Sequence, residues 1–211
     1  MAHIVLLGDS IFDNGCYTMG GPDVISQVRK LLPAGWQASL LAVDGAATED
    51  VPSQLRRMPS DASHLVLSVG GNNALMNSNI LHMPAGSTSQ AIGTLADASK
   101  QFEERYRKAA DECRRLGFPL ALCTIYNGCF PDLDFQRVIS TALMVFNDVI
   151  LRVGIEFRLP IIDLRFVCSS PSDYANPIEP SSAGGAKIAR TIVNVISAGH
   201  TNGADTRVVI A

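Results

Sequence analysis

Four short stretches of this chain carry residue types that can do chemistry together. They are Gly8-Asp9-Ser10, Asp44 to Thr48 (DGAAT), Gly70 to Asn73 (GGNN) and Asn176 to Pro180 (NPIEP). A serine becomes a nucleophile once a base takes its proton. Gly45 offers a backbone N–H that a ligand can approach closely, since no side chain covers it. Asn72 offers a side-chain amide. With the Ser10 N–H, these make three donors able to surround a developing oxyanion, as the tetrahedral intermediate of acyl transfer requires. Each piece alone has an ordinary structural role: Asp9 or Ser10 as a helix cap, Gly45 and Asn72 as turn residues.

The carboxylate is Glu179. Pro177 and Pro180 fix their own φ and restrict the residue before them. Glu179 is therefore held on stiff, extended chain just ahead of a helix. Two readings fit: a base for Ser10, or an acidic residue favoured by the dipole of that helix.

These stretches need elements to hold them. Short apolar runs alternate with longer amphipathic ones. Strands are expected at His3–Leu7, Gln37–Val43, His64–Val69, Pro119–Tyr126 and Leu159–Leu164. Helices are expected around Pro22–Leu32, Glu49–Arg57, Ile92–Leu116, Val138–Val153 and Ser182–Ser197. Leu95, Phe102, Tyr106, Ala109, Cys113 and Leu116 recur on one helical face. Apolar strands without alternation imply a parallel sheet buried on both sides. The expected fold is α/β: a three-layer sandwich around a doubly wound, five-stranded parallel sheet. In such sheets the site lies beyond the carboxyl ends of the strands, which is where the four stretches fall. The polar segment from Ala74 to about Gln90 is expected as a loop forming a lid or substrate wall, with Met76 and Met83 suited to an apolar group. The tail after Gly199 is expected as an extra edge strand or loose chain.

The bulk numbers agree with one domain over residues 1–211. A net charge of −3 gives no reason to expect nucleic acid or an anionic membrane as partner. No unbroken apolar run reaches the roughly 18 residues of a membrane span, and the N-terminus lacks the pattern of a signal peptide. Five cysteines, an odd number without metal-type pairing, suggest a reduced, cytoplasmic chain. Most are expected to be small buried hydrophobes; Cys16 and Cys129 lie in expected loops. No metal or cofactor motif stands out.

The same residues resemble the SGNH (GDSL-type) hydrolases, a family of esterases, lipases, thioesterases and carbohydrate acetylesterases, over nearly the whole chain. LLGDSIFDNG resembles the first block, DGAAT the second, GGNN the third (usually G-x-N-D), and NPIEPSSAGGAKIA the last (usually D-x-x-H-P-x-x-x-G-x-x-x-[ILVM]-A). The resemblance implies a flavodoxin-like fold, Ser10 as nucleophile, and Ser10 N–H, Gly45 N–H and Asn72 as the oxyanion hole. It also locates the departures. Glu179 stands where the family has its histidine, Asn176 where it has its aspartate, and Asn73 where the third block has aspartate.

The two changes in the last block are coherent. An aspartate beside a carboxylate base would disfavour its ionisation. Asn176 removes that repulsion and can donate a hydrogen bond to Glu179. The expectation is a small carboxylic ester, acetyl or short acyl, hydrolysed by Ser10 with Glu179 as base. Such a base should stay ionised to lower pH than an imidazole, unless burial closes the gap of about two units. Two alternatives stay open: a non-catalytic ester- or glycan-binding descendant, and an acyltransferase using the same serine. Of four histidines, His3 and His64 begin strands at the far end of the sheet, and His200 follows the last helix. His82 lies on the correct side, as a loop residue that could approach. Asn73 and Asp9 are candidates to support the site. Asn127 and Cys129 follow the fourth strand and are candidates to line the pocket. Asp13 and Asn14 are expected to turn the chain.

Overall fold

The computed structural model describes residues 2–198 and 206–210. Its strands and helices alternate: β1 (His3–Gly8), α1 (Val24–Leu31), β2 (Gln37–Leu40), α2 (Val51–Leu55), β3 (His64–Ser68), α3 (Gly71–Met76) and α4 (Thr88–Arg115). There follow β4 (Leu120–Cys123), α5 (Leu133–Phe157), β5 (Ile161–Ile162), α6 (Leu164–Val167), a hairpin of β6 (Tyr174–Asn176) and β7 (Glu179–Pro180), α7 (Ser182–Ser197) and β8 (Val208–Val209).

The main sheet is parallel throughout, in the order β2-β1-β3-β4-β5-β8. It has six strands where the sequence predicts five. The extra one, β8, comes from the tail and pairs with β5 at the edge. His200 lies outside the described residues. The strand pattern follows from burial on both faces. Ile4, Leu6, Val66 and Ile162 pack with Val24 and Val28 of α1 and Ile188 and Ile192 of α7. Val5, Leu7, Leu67 and Leu122 pack with Phe102 and Tyr106 of α4 and Phe146 and Val149 of α5. Adjacent residues of one strand thus enter different cores, which is why its apolar run is unbroken.

The expected loop after β3 is largely helical. Residues 71–76 form α3, a 3-10 turn covers Ser78–His82, and α4 begins at Thr88. Glycine and asparagine at its start hid the helix, because both favour turns. Helix α5 is long and apolar enough, by length and composition alone, to cross a membrane, although polar residues interrupt its apolar run. Its Phe146, Val149, Ile150 and Val153 are buried against α4 and the sheet, and a core helix passes the same test.

Candidate active site

Ser10 sits just past the carboxyl end of β1, an interior strand of the sheet. Gly8 makes its sharp turn possible, with φ +126° and a Cβ position 1.7 Å from the Ser68 carbonyl oxygen. Past it, the Asp9 carbonyl accepts from Phe12 N–H and Asp13 N–H, and Asp9 Oδ1 accepts from Ile11 N–H. This folds the chain into a tight turn with Ser10 at its bend.

Four buried side-chain amides lock the segments around this turn. Gln54 of α2 accepts from Gly8 N–H and donates to Gly8 O, both at 2.8 Å, completing β1 as a neighbouring strand would. Asn147 of α5 does the same for Ile125, just past β4. Asn73 accepts from Thr48 N–H and donates to the Thr48 hydroxyl, tying the third stretch to the second. Asn14 accepts from Val24 N–H and donates to Pro180 O at 3.1 Å, tying the first stretch to the last. A buried backbone group left unpaired costs about 1–3 kcal/mol, so each amide specifies one arrangement of its loop. Only Asn73 among them was foreseen as a supporting residue, and Asn14 does more than turn the chain.

Glu179 begins β7. Its hairpin is held by three successive sets of contacts. Asn176 Oδ1 accepts from Ile178 N–H and Glu179 N–H, closing the turn. Pro177 O accepts from Cys129 N–H at 2.8 Å, and Ile178 O from the Tyr126 hydroxyl at 2.6 Å. Asn14 then holds Pro180. Asn176 therefore acts on the backbone. No hydrogen bond from its amide nitrogen to the Glu179 carboxyl, as the sequence led us to expect, is formed among the described residues; the side chain is instead turned to bring its oxygen to the two N–H groups of the turn. Glu179 is not the cap of α7 either: Ser181 fills that position, its hydroxyl accepting from Gly184 N–H.

Glu179 is buried, only 7% exposed, and the Ser10 hydroxyl lies close enough to its carboxyl to favour the ionised form. Burial pushes its pKa up to about 7; the Ser10 hydroxyl pulls the other way, and the negative charge of Asp44 adds to the rise. Its Oε2 is buried without a hydrogen-bond partner among the described residues. The expectation of a base ionised well below the imidazole range is thus corrected: burial brings this carboxyl to the imidazole range.

Ser10 and Glu179 open into a cleft enclosing about 940 Å³ of empty space, part of it open to solvent. Asp9, Asn72 and Asn127 also line it. Asn72 Nδ2 donates to Ala46 O at 2.9 Å, which sets Asn72 beside Gly45. Gly45 is exposed with φ +78°, a conformation that glycine adopts freely. The N–H groups of Ser10 and Gly45 have no partner among the described residues. Gly45, Asn73, Asn176 and His82 do not line the cleft itself. His82 is exposed at the end of the 3-10 turn. Met76 and Met83, expected in the apolar wall, are 65% and 55% exposed, while Leu75, Ile80 and Leu81 line the cleft in their place. Residues of α5 also line it, and nothing local in the sequence marks them. Cys16 is exposed and Cys129 half-buried; none of the five cysteines is in a disulfide.

Asp9 is fully enclosed, and burial pushes its carboxyl up to about 7, with the charges of Glu179 and Asp44 adding to the rise. Below about pH 3 the folded and unfolded chains both carry its proton. Between about 4 and 7 the unfolded chain loses that proton and the folded chain keeps it, so stability falls as pH rises. The loss is on the order of 4 kcal/mol by pH 7. Asp9→Asn retains the acceptor for Ile11 N–H and removes the charge. It is expected to melt well above the parent chain at pH 8 and close to it at pH 4, measured by thermal denaturation across pH. Equal melting temperatures at pH 8 would show that Asp9 ionises freely.

No family model matches the chain, and no curated protein matches it. Solved structures do. An extracellular lipase from Streptomyces rimosus is 16% identical and aligns over 94% of this chain and 99% of its own, with a TM-score of 0.66. An acetyl xylan esterase, AlAXEase, is 15% identical over 92% and 99%, with a TM-score of 0.68. A lipase/acylhydrolase from Enterococcus faecalis is 19% identical over 97% and 100%, with a TM-score of 0.64. The chain has the α/β fold of these proteins across nearly its full length.

Proposed function

We propose that the chain is a serine hydrolase of carboxylic esters. One observation carries the reading: Ser10 and Glu179 line the same cleft, the serine hydroxyl near a buried carboxyl whose pKa burial raises to about 7. Likeness in fold to lipases and esterases supports it.

In the proposed reaction Ser10 Oγ attacks the ester carbonyl carbon while its proton passes to Glu179. Negative charge gathers on the carbonyl oxygen, where Ser10 N–H, Gly45 N–H and the Asn72 amide receive it. The intermediate collapses, the C–O bond to the alcohol breaks, and Glu179 returns the proton to the leaving alkoxide. Water then attacks the acyl-enzyme, gives a proton to Glu179, and displaces Ser10 Oγ, which takes that proton back. A base near the working pH suits both halves of this cycle. Asn176 and Asn14 hold the hairpin that carries the base.

Treatment with a fluorophosphonate, followed by peptide mass spectrometry and p-nitrophenyl acetate assays, tests the reading. One label per chain on Ser10 is expected, with turnover abolished by labelling and by Ser10→Ala. Labelling without water-dependent turnover, but with acyl transfer to added alcohols, would replace hydrolase by acyltransferase. Neither label nor turnover would leave a binding protein.

A further inference from the structure

The two sides of Ser10 differ sharply. On one side, the loops after β1 and β2 present Asp13, Tyr17 and Asp44, linked by hydrogen bonds of 2.8 Å from Tyr17 to Asp44 and 2.9 Å from Asp44 N–H to Asp13. This rim is polar and acidic, and Asp44 and Tyr17 lie within electrostatic reach of Glu179. On the other side the cleft wall is apolar: Leu75 of α3, Ile80 of the 3-10 turn, Leu95 of α4, and Ile139, Leu143 and Phe146 of α5. No lysine, arginine or histidine lines the cleft.

We infer that the ester lies across Ser10 with its acyl chain in this cleft, and that the chain is an alkyl group longer than acetyl. This rests on Ser10 being the nucleophile. An ester's halves differ in the same way as the two sides of the site. The alcohol leaves as an alkoxide that needs a proton from Glu179 and water beyond it, which the polar rim supplies. The acyl half stays bound to Ser10 and gains by burial. An acetyl group would leave the wall formed by Leu95, Ile139, Leu143 and Phe146 uncovered, whereas an alkyl chain removes it from water. Each methylene so buried contributes binding worth about three- to fourfold. An anionic acyl tail finds no cation there.

The test is a series of p-nitrophenyl esters from acetate to laurate on the whole chain, beside acetate esters of increasingly long alcohols. kcat/KM is expected to rise about three- to fourfold per methylene from acetate into the hexanoate–decanoate range, with no such rise along the alcohol series. Ala142 of α5 also lines the cleft. Ala142→Phe and, separately, Leu143→Trp narrow it, and each is expected to lower the octanoate-to-acetate ratio at least tenfold. Acetate as the fastest substrate, a rise along the alcohol series instead, or an unchanged ratio in both variants would overturn the inference. A further arm compares labelling of Ser10 by methyl- and octylphosphonate esters of p-nitrophenol. The octyl reagent is expected to react at least tenfold faster. Equal rates would overturn the acyl-cleft inference alone, whereas no labelling by either would sink the serine-hydrolase reading and this inference with it.

Discussion

Glu179→Gln is expected to lower kcat for ester hydrolysis by about 10²–10⁴-fold, the usual contribution of a positioned base. Glutamine keeps the size of the side chain and an oxygen that can accept from Ser10, so folding and binding should hardly change. What it lacks is the capacity to take a proton. The pH profile separates this from a structural effect. In the parent chain the base works only when ionised, and its carboxyl sits at about 7. The rate should therefore rise with pH, about tenfold per unit on the acid side, and level off above about 7. In Glu179→Gln that limb should disappear. Asp44→Asn removes a negative charge that raises the Glu179 pKa, so its limb should move to lower pH. The midpoint alone would not distinguish this carboxyl from an imidazole, since burial has brought the two together; the substitutions do. If Glu179→Gln keeps both rate and limb, another group accepts the proton, and exposed His82 becomes the residue to replace next.

Gly8→Ala is expected to destabilise the fold severely. A Cβ on Gly8 would stand 1.7 Å from the Ser68 carbonyl oxygen and 2.5 Å from its carbon, and φ +126° is closed to other residues. The clash is with backbone of the neighbouring central strand, so no side chain can move aside. Gly8↔Ser68 is the last register pair of two interior strands, and separating it would disturb packing on both faces. A cost above about 4 kcal/mol is expected, against a total stability of about 5–15 kcal/mol. Soluble yield and circular dichroism check this: the variant should be insoluble or melt without a cooperative transition. A variant that purifies and melts within a few degrees of the parent would show that the β1–β3 approach is looser than described. The same contact gives the G-D-S stretch its physical meaning. Glycine permits the approach, the Asp9 carbonyl and carboxyl organise the turn, and Ser10 is left at its bend.

Much of this was legible before any coordinates. Unbroken apolar runs at regular spacing marked strands buried on both faces, because such burial needs apolar residues at every position rather than every second one. The rule that α/β sites lie beyond the carboxyl ends of strands then brought Ser10, Asn72 and Glu179 to one place. The two prolines around Glu179 announced stiff, extended chain, since a fixed φ is local information, but not that the chain turns there into the β6–β7 hairpin. Less visible was anything that depends on a partner distant in the chain. Gln54 and Asn147 are ordinary polar residues on helices, and only the fold brings them against Gly8 and Ile125, 46 and 22 positions away. Asn176 was assigned the wrong bond, since an asparagine next to proline can serve a carboxyl or its own turn, and the turn's geometry decides. The short β8 was undecidable from two valines in a polar tail, because an edge strand is made by the strand it pairs with. Residue types and strand spacing thus determined the fold class and the chemistry to look for, both being properties of local pattern. The tertiary structure alone decided the Glu179 carboxyl's rise to about 7 and the apolar wall from α3, α4 and α5, because desolvation and cavity shape depend on every segment packed around a group.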